Sequence, residues 1–397
     1  MFKRLLGKVF GPMDPVGGAV IAAQGPSLKA VSTPSPSFRS ASTGQNNGPS
    51  SHALKSNALK RQGTVNASLS PSGNAQASEV KAAPPLSVED QFETDFYHFL
   101  FGESELNLPV DELSACIAEK IQKLLLSPKA ILKSLPILPA SLTEIIKQTQ
   151  HDEFDADVIV ELLKQEPIIA AKVIQLANSA FYNRSGKEIT ELKGAFMLLG
   201  AKGLYEGVLQ GFLSQLTAQH AIYFKQYGEK VWQHSLSISE IARELAANSE
   251  QKELASFASL TGLLSNLGNI IIYQLMIEAF SVVHPDMQPG SAAFTRLLRN
   301  NAKKLTYHIA KFWEFPESIF LALGIQTKLH SSTLLKSCFE KSPIACFVYE
   351  ARIISEIKMR CASPKFIRED VNIAYTTLLY TKESKAYLKQ HFGEYLS

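Results

Sequence analysis

The sequence predicts an all-α protein, and three observations carry that prediction. After residue 87, apolar residues recur at intervals of three and four through most of the chain, the spacing that gathers them on one face of a helix. No stretch of any length alternates cleanly with the period of two that a half-buried strand needs. Gly, Pro and Asn separate the periodic segments, so the helices read as many and short, joined by tight turns.

At 397 residues the chain is long enough for two or three domains. Hydrophobic residues make up 45% of it, which is enough for a large core. Cys116, Cys338, Cys346 and Cys361 fall in no CxxC or metal-ligand spacing. They read as reduced thiols in a cytoplasmic protein. The net charge of +3 hides an asymmetry: residues 1–78 hold eight basic residues against one acid, Asp14, which leaves the rest of the chain at −4. A mildly acidic body argues against nucleic-acid binding.

Residues 1–86 read as a disordered basic arm. The arm opens MFKRLLGKVFG, with Phe2, Leu6 and Phe10 beside Lys3, Arg4 and Lys8. That segment is too short for a stable helix of its own. It reads as a docking element for a partner's groove, with weak membrane contact through residues 1–11 as the alternative. It lacks the sustained apolar run of a signal peptide. From Ala23 to Pro85 the composition turns to Ser, Ala, Pro, Gly, Asn and Gln, which buries too little apolar surface to offset the entropy of ordering. The expectation is a flexible tether, and deleting residues 1–85 is expected to leave the stability of the remainder nearly unchanged.

Residues 87–131 predict two helices that pack on the body. Ser87 and Asp90 suggest a cap ahead of Phe92, Phe96, Phe99 and Leu100. Pro109 and Asp111 open a second helix carrying Leu113, Ile117, Ile121 and Leu124. In the main body, residues 132–330, Ser141 and Glu144 fit a capping box and Asp155 or Asp157 caps the next helix. Glu166 to Gly200 then reads as two helices and a compact polar loop. Pro167 suits a first turn, and Asn178 and Ser179 end the helix by bonding local backbone. Thr190 caps the next helix, and Gly200 sits where a C′ glycine belongs. The apolar run Leu260–Ile277 contains Asn266, Asn269 and Gln274, so it reads as a buried core helix and not a membrane span.

A proline-opened helix, then LANSAFY, then an Ala-to-LLG helix resembles the signature of the HDOD family. LPILPASLTEII (Leu135–Ile146), VWQHS (Val231–Ser235), GLLSNLG (Gly262–Gly268) and FWEFP (Phe312–Pro316) follow in the family's order. The resemblance implies an HDOD-type multi-helix bundle with an HD-like core, preceded by the disordered arm. It also implies a bacterial signalling module, and structural roles for Pro167, Asn178, Ser179, Gly200, Trp313 and Pro316.

The same resemblance locates where chemistry would sit. HD-type phosphohydrolases hold metal with a His on one helix, an adjacent His-Asp pair on the next and a later Asp, so that the ion activates water. Here the first position falls on His234 and the pair on Ser265 and Asn266. A hydroxyl and an amide are poor substitutes for an imidazole and a carboxylate. The following helix offers no Asp, only Glu278, and Asp286 lies in a Pro-flanked loop. His234, Ser265 and Asn266 therefore read as a vestigial HD pocket with no catalytic residue, no metal and no cofactor. His234 also lies on a core-facing stripe with Val231, Ile238, Ile241 and Leu245, where it reads as a core histidine donating to Asn266.

Residues 331–397 form a C-terminal helical extension, with one long helix around Ile344–Ile357 and another capped by Asp370. These helices are expected to pack onto the body, and Tyr387 and Phe392, which would be exposed on a lone helix, suggest docking or a homodimer contact as the alternative. The function expected is a non-catalytic signal-transduction module acting through an unidentified protein partner. The alternatives are a metal-dependent phosphohydrolase, or a nucleotide sensor using the vestigial pocket.

Overall fold

The computed structural model describes residues 2, 4–6, 87–102, 110–150, 155–217, 224–281, 290–329, 331–361, 363 and 366–396. Among these the chain is all helical, without a strand. Helices start where the sequence supplies caps. Ser87 accepts the Asp90 N–H at the head of α1 (Val88–Phe101), and Asp111 accepts that of Ser114 for α2 (Glu112–Leu126). The short α3 (Lys129–Lys133) leads to α4 (Ala140–Gln150). Ser141 does not cap α4, because it lies inside the helix and donates to Glu166 at 3.1 Å. Asp155 caps α5 (Ala156–Lys164), and Pro167 is the first residue of α6 (Pro167–Ala177).

Asn178 pins the loop after α6 at two points. Its Nδ2 donates to the carbonyls of Ile174 (3.1 Å) and Ile189 (2.7 Å), and its Oδ1 accepts the Ile189 N–H at 2.8 Å. Ser179 contributes its carbonyl, which accepts from the N–H groups of Tyr182 and Asn183. The next helix, α7 (Leu192–Thr217), starts two residues beyond Thr190 and bends at Gly200, whose φ of +62° suits glycine. Packing of α6 on α7 is backbone-close: a Cβ on Gly211 would stand 2.8 Å from the Cα of Ile169.

The second half of the body comprises α8 (Lys225–Ala247), α9 (Ala255–Leu264), α10 (Leu267–Phe280), α11 (Ala292–Phe312) and α12 (Glu317–Gln326). The run Lys252–Phe280 is long and apolar enough to span a membrane, yet its most apolar window is 89% buried inside the protein. Trp313 is buried edge-on to Phe212, and Pro316 stands just ahead of α12.

The extension adds α13 (Leu335–Lys341), α14 (Pro343–Cys361), α15 (Glu369–Ile373) and α16 (Lys382–Phe392). With α8 they enclose a second apolar core beside the main one. Buried Glu350 ties α16 to α14, accepting the N–H groups of Tyr380 (2.6 Å) and Thr381 (2.8 Å) and the hydroxyls of Thr381 (2.6 Å) and Ser384 (2.8 Å). Two expectations need correction. Asp370 sits inside α15, where it pairs with Arg360 at 2.8 Å and caps nothing. Phe392 is buried in the second core and Tyr387 packs against it, so the chain itself covers both.

The arm also departs from its expectation. Phe2 and Leu6 are buried in the main core, and the Phe2 N–H donates to Glu278 at 2.9 Å. The groove that these two side chains occupy is the chain's own. Phe10 lies outside the described residues. Burying a Phe and a Leu contributes about 3–6 kcal/mol. Bringing together two segments about 80 residues apart in the chain costs about 4 kcal/mol in loop closure. The two terms nearly cancel, which makes the seat shallow. Replacing Phe2 and Leu6 together with Ser is therefore expected to lower stability in urea unfolding by no more than about 2 kcal/mol; a larger loss would mean that the seat is a main support of the fold.

Candidate functional site

The three residues of the expected HD-type pocket do come together. His234 lies on α8, Ser265 ends α9 and Asn266 precedes α10. They meet because α9 lies against the backbone of α8: a Cβ on Gly262 would stand 3.0 Å from the Ile238 carbonyl oxygen. Similarly, α10 presses on α11 at Gly268, whose N–H donates to Thr306 at 2.8 Å. His234 and Asn266 are buried, and the ring of Phe96 on α1 lies 4.5 Å from the imidazole. The Ser265 hydroxyl turns back to donate to the Gly262 carbonyl at 2.7 Å.

A buried polar relay runs from α1 to His234. The Tyr97 hydroxyl donates to Asn269 Oδ1 at 3.0 Å, Asn269 Nδ2 donates to Asn266 Oδ1 at 2.9 Å, and Asn266 Nδ2 stands 3.1 Å from His234 Nδ1. The far end sets the direction. Among the described residues Tyr97 has one acceptor, Asn269, and a buried O–H without an acceptor costs about 1–3 kcal/mol. Tyr97 must donate, so each amide along the relay is oriented and Asn266 donates to His234. This reverses the expected direction. A neutral imidazole that accepts at Nδ1 carries its proton on Nε2. Burial, together with the Arg352 guanidinium, pushes His234 down to about 3, so it is neutral at ordinary pH.

Four charged side chains close the site. Glu93 on α1 pairs with Lys303 on α11 at 3.0 Å and lies 3.7 Å from Arg299 Nε, while Arg352 pairs with Glu356 one turn on along α14. Burial works against the Glu93 charge, but Lys303 and Arg352 outweigh it and hold the carboxyl near 2. For Glu356 burial wins over Arg352, with Glu93 adding to it, and its carboxyl rises to about 7. Outside the site, α1 and the C-terminal extension are linked by Arg360, 4.4 Å above the Phe92 ring, and by Glu89, which accepts from Ser332 N–H at 3.1 Å.

What remains is a cavity of about 40 Å³, bounded by His234, Asn266, Lys303, Arg352 and Glu356. By volume it holds a few waters or one small group. A divalent ion does not fit the residues present. Nε2 of His234 points a proton where a ligand needs a lone pair, and Ser265 and Asn266 are engaged elsewhere. Among the described residues no group of three or more His, Cys, Asp or Glu is placed to hold a metal. Asp286 and His330 lie outside the described residues.

Sequence reasoning missed Glu93, Tyr97, Asn269, Lys303, Arg352 and Glu356. The signal was present in part: Glu93 and Tyr97 flank the phenylalanine stripe of α1, and Arg352 and Glu356 interrupt the apolar stripe of α14 at a spacing of four. It also missed a second buried pair, Arg243 with Glu206, which joins α8 to α7. Tyr182 donates to Glu206 at 3.2 Å, and Phe181 lies 4.4 Å from the guanidinium.

The family model of the HDOD domain matches residues 135–328. A protein of Treponema pallidum named as uncharacterized is 24% identical over 221 residues, 54% of this chain, and the match spans 40% of that protein's length. Among solved structures, an HDOD domain protein with unknown function from Geobacter sulfurreducens is 17% identical, covering 69% of this chain and 90% of that one, with a TM-score of 0.43. A Shewanella amazonensis protein named as a candidate metal-dependent phosphohydrolase is 18% identical, covering 68% and 98%, with a TM-score of 0.47.

Neutral burial of His234 has a pH signature. Its folded pKa lies below the ordinary value, so its contribution is present above about pH 6.5 and is lost as pH falls toward about 3. Urea unfolding between pH 6.5 and 4.5 should show the native chain losing up to about 1.4 kcal/mol per pH unit relative to His234→Asn. Parallel curves for the two proteins would mean that His234 is charged or solvated in the native state.

Proposed function

We propose, from the premise that residues 135–328 are an HDOD domain, that this protein is a non-catalytic regulatory module. One observation carries the reading: the place where the resemblance puts a hydrolytic metal is surrounded by the chain's own ion pairs and presents a histidine proton. A water becomes a nucleophile at neutral pH only on an ion that protein ligands hold with one position open, and His234, Ser265 and Asn266 supply no such set. Regulation then rests on contact with another protein in the cytoplasm. The first half of the domain offers apolar side chains for it, with Ile137 93% and Met197 79% exposed, and the mildly acidic body favours a protein over a nucleic acid.

Purified full-length protein, incubated with manganese, iron, zinc or magnesium and then dialysed, is expected to retain no stoichiometric metal. It should turn over neither nucleoside phosphates nor cyclic dinucleotides. Stoichiometric metal with turnover that disappears in His234→Ala would overturn the proposal.

A further inference from the structure

The cavity beside His234 carries hydrogen-bonding capacity that the protein does not use. Among the described residues Arg352 Nε has no hydrogen-bond partner, and His234 Nε2 makes none of good geometry although the Arg352 backbone lies close enough to favour its proton; both atoms are shut away from water. Both are donors. The Lys303 ammonium, largely buried, has three protons, and Glu93 is the ion-pair partner it meets in the site. Against these donors stands one unpartnered acceptor, Glu356 Oε2. Leaving a buried donor unpaired costs about 1–3 kcal/mol, so two such donors on residues that line one cavity favour a guest that accepts from both. The pairs Glu93–Lys303 and Arg352–Glu356 need not break to receive it, because Arg352 uses Nη1 for Glu356 and leaves Nε unpaired.

We infer that this cavity is a receptor for a phosphate group, either the free ion or the end of a longer molecule, held by His234 Nε2–H, Arg352 Nε–H and the Lys303 ammonium. The volume of about 40 Å³ matches one such group and excludes a nucleoside from the interior. A guanidinium edge and an ammonium are the usual protein donors to phosphate oxygens. The tendency of Glu356 toward its neutral form near neutral pH leaves Arg352 with charge to offer an anion. Because the three donors come from α8, α11 and α14, a bound phosphate fastens the C-terminal extension to the domain, which would couple ligand to output. The inference rests on the reading that His234 holds no metal.

The test is calorimetric titration of the full chain with inorganic phosphate in EDTA, at constant ionic strength, with chloride as the control. One saturable site is expected for phosphate and none for chloride. Lys303→Gln, at a partly exposed position, should weaken binding at least tenfold, and Arg352→Gln should abolish it. A nucleoside monophosphate that binds more tightly than phosphate would identify the guest as the end of a longer molecule, and one that binds more weakly would identify the free ion. No saturable binding with or without metal, or equal affinity in wild type and Lys303→Gln, overturns the inference alone. Binding that appears only when manganese replaces EDTA overturns both the inference and the metal-free reading beneath it.

Discussion

A buried histidine that faces a guanidinium and is paired with no carboxylate has to be neutral, and a neutral imidazole has one donor and one acceptor to place. The structure around His234 follows from that constraint. Asn266 takes the acceptor, so the donor is the other ring nitrogen, Nε2. Asn266 is held in that orientation by Asn269, and Asn269 by Tyr97 on a helix that precedes the HDOD match. The charges at the cavity likewise come from α1, α11 and α14, two of them outside the matched segment. Buried ions are tolerated where each has a partner in good geometry. The pocket that resembles an HD site is thus completed by flanking elements, and its electrostatics belong to the whole chain.

A second buried pair explains why the corner after α6 has the sequence it has. Asn178 fixes the loop by bonding Ile174 and Ile189. The loop then lays Phe181 and Tyr182 over the Arg243 guanidinium, while Arg243 reaches Glu206 and the Ser259 hydroxyl. Removing either ion would leave the other buried without compensation, a loss of about 3–5 kcal/mol. The aromatic residues of LANSAFY therefore shield a charge that joins the two halves of the domain.

Helices and caps were legible because they depend on local spacing. Asp111, Asp155, Pro167 and Gly200 act where the pattern places them. Ser141 and Asp370 were misread because a distant partner, Glu166 or Arg360, competes for the side chain. His234, Ser265 and Asn266 were legible through family resemblance alone, since nothing in their local spacing brings them together. Arg352 and Glu356 were not, because a charged pair four apart on a helix usually faces solvent, and only the approach of α1 and α11 buries this one. The seat of Phe2 and Leu6 was equally invisible, as Phe2 is held by Glu278, 276 positions away in the chain.

The central claim is the proton position on His234. Nitrogen-15 NMR of the imidazole at neutral pH measures it directly, since protonated and unprotonated ring nitrogens resonate far apart. The account predicts a single neutral tautomer with the proton on Nε2, unchanged by added manganese or zinc. A proton on Nδ1, or an Nε2 signal that shifts or broadens stoichiometrically with added metal, would contradict it.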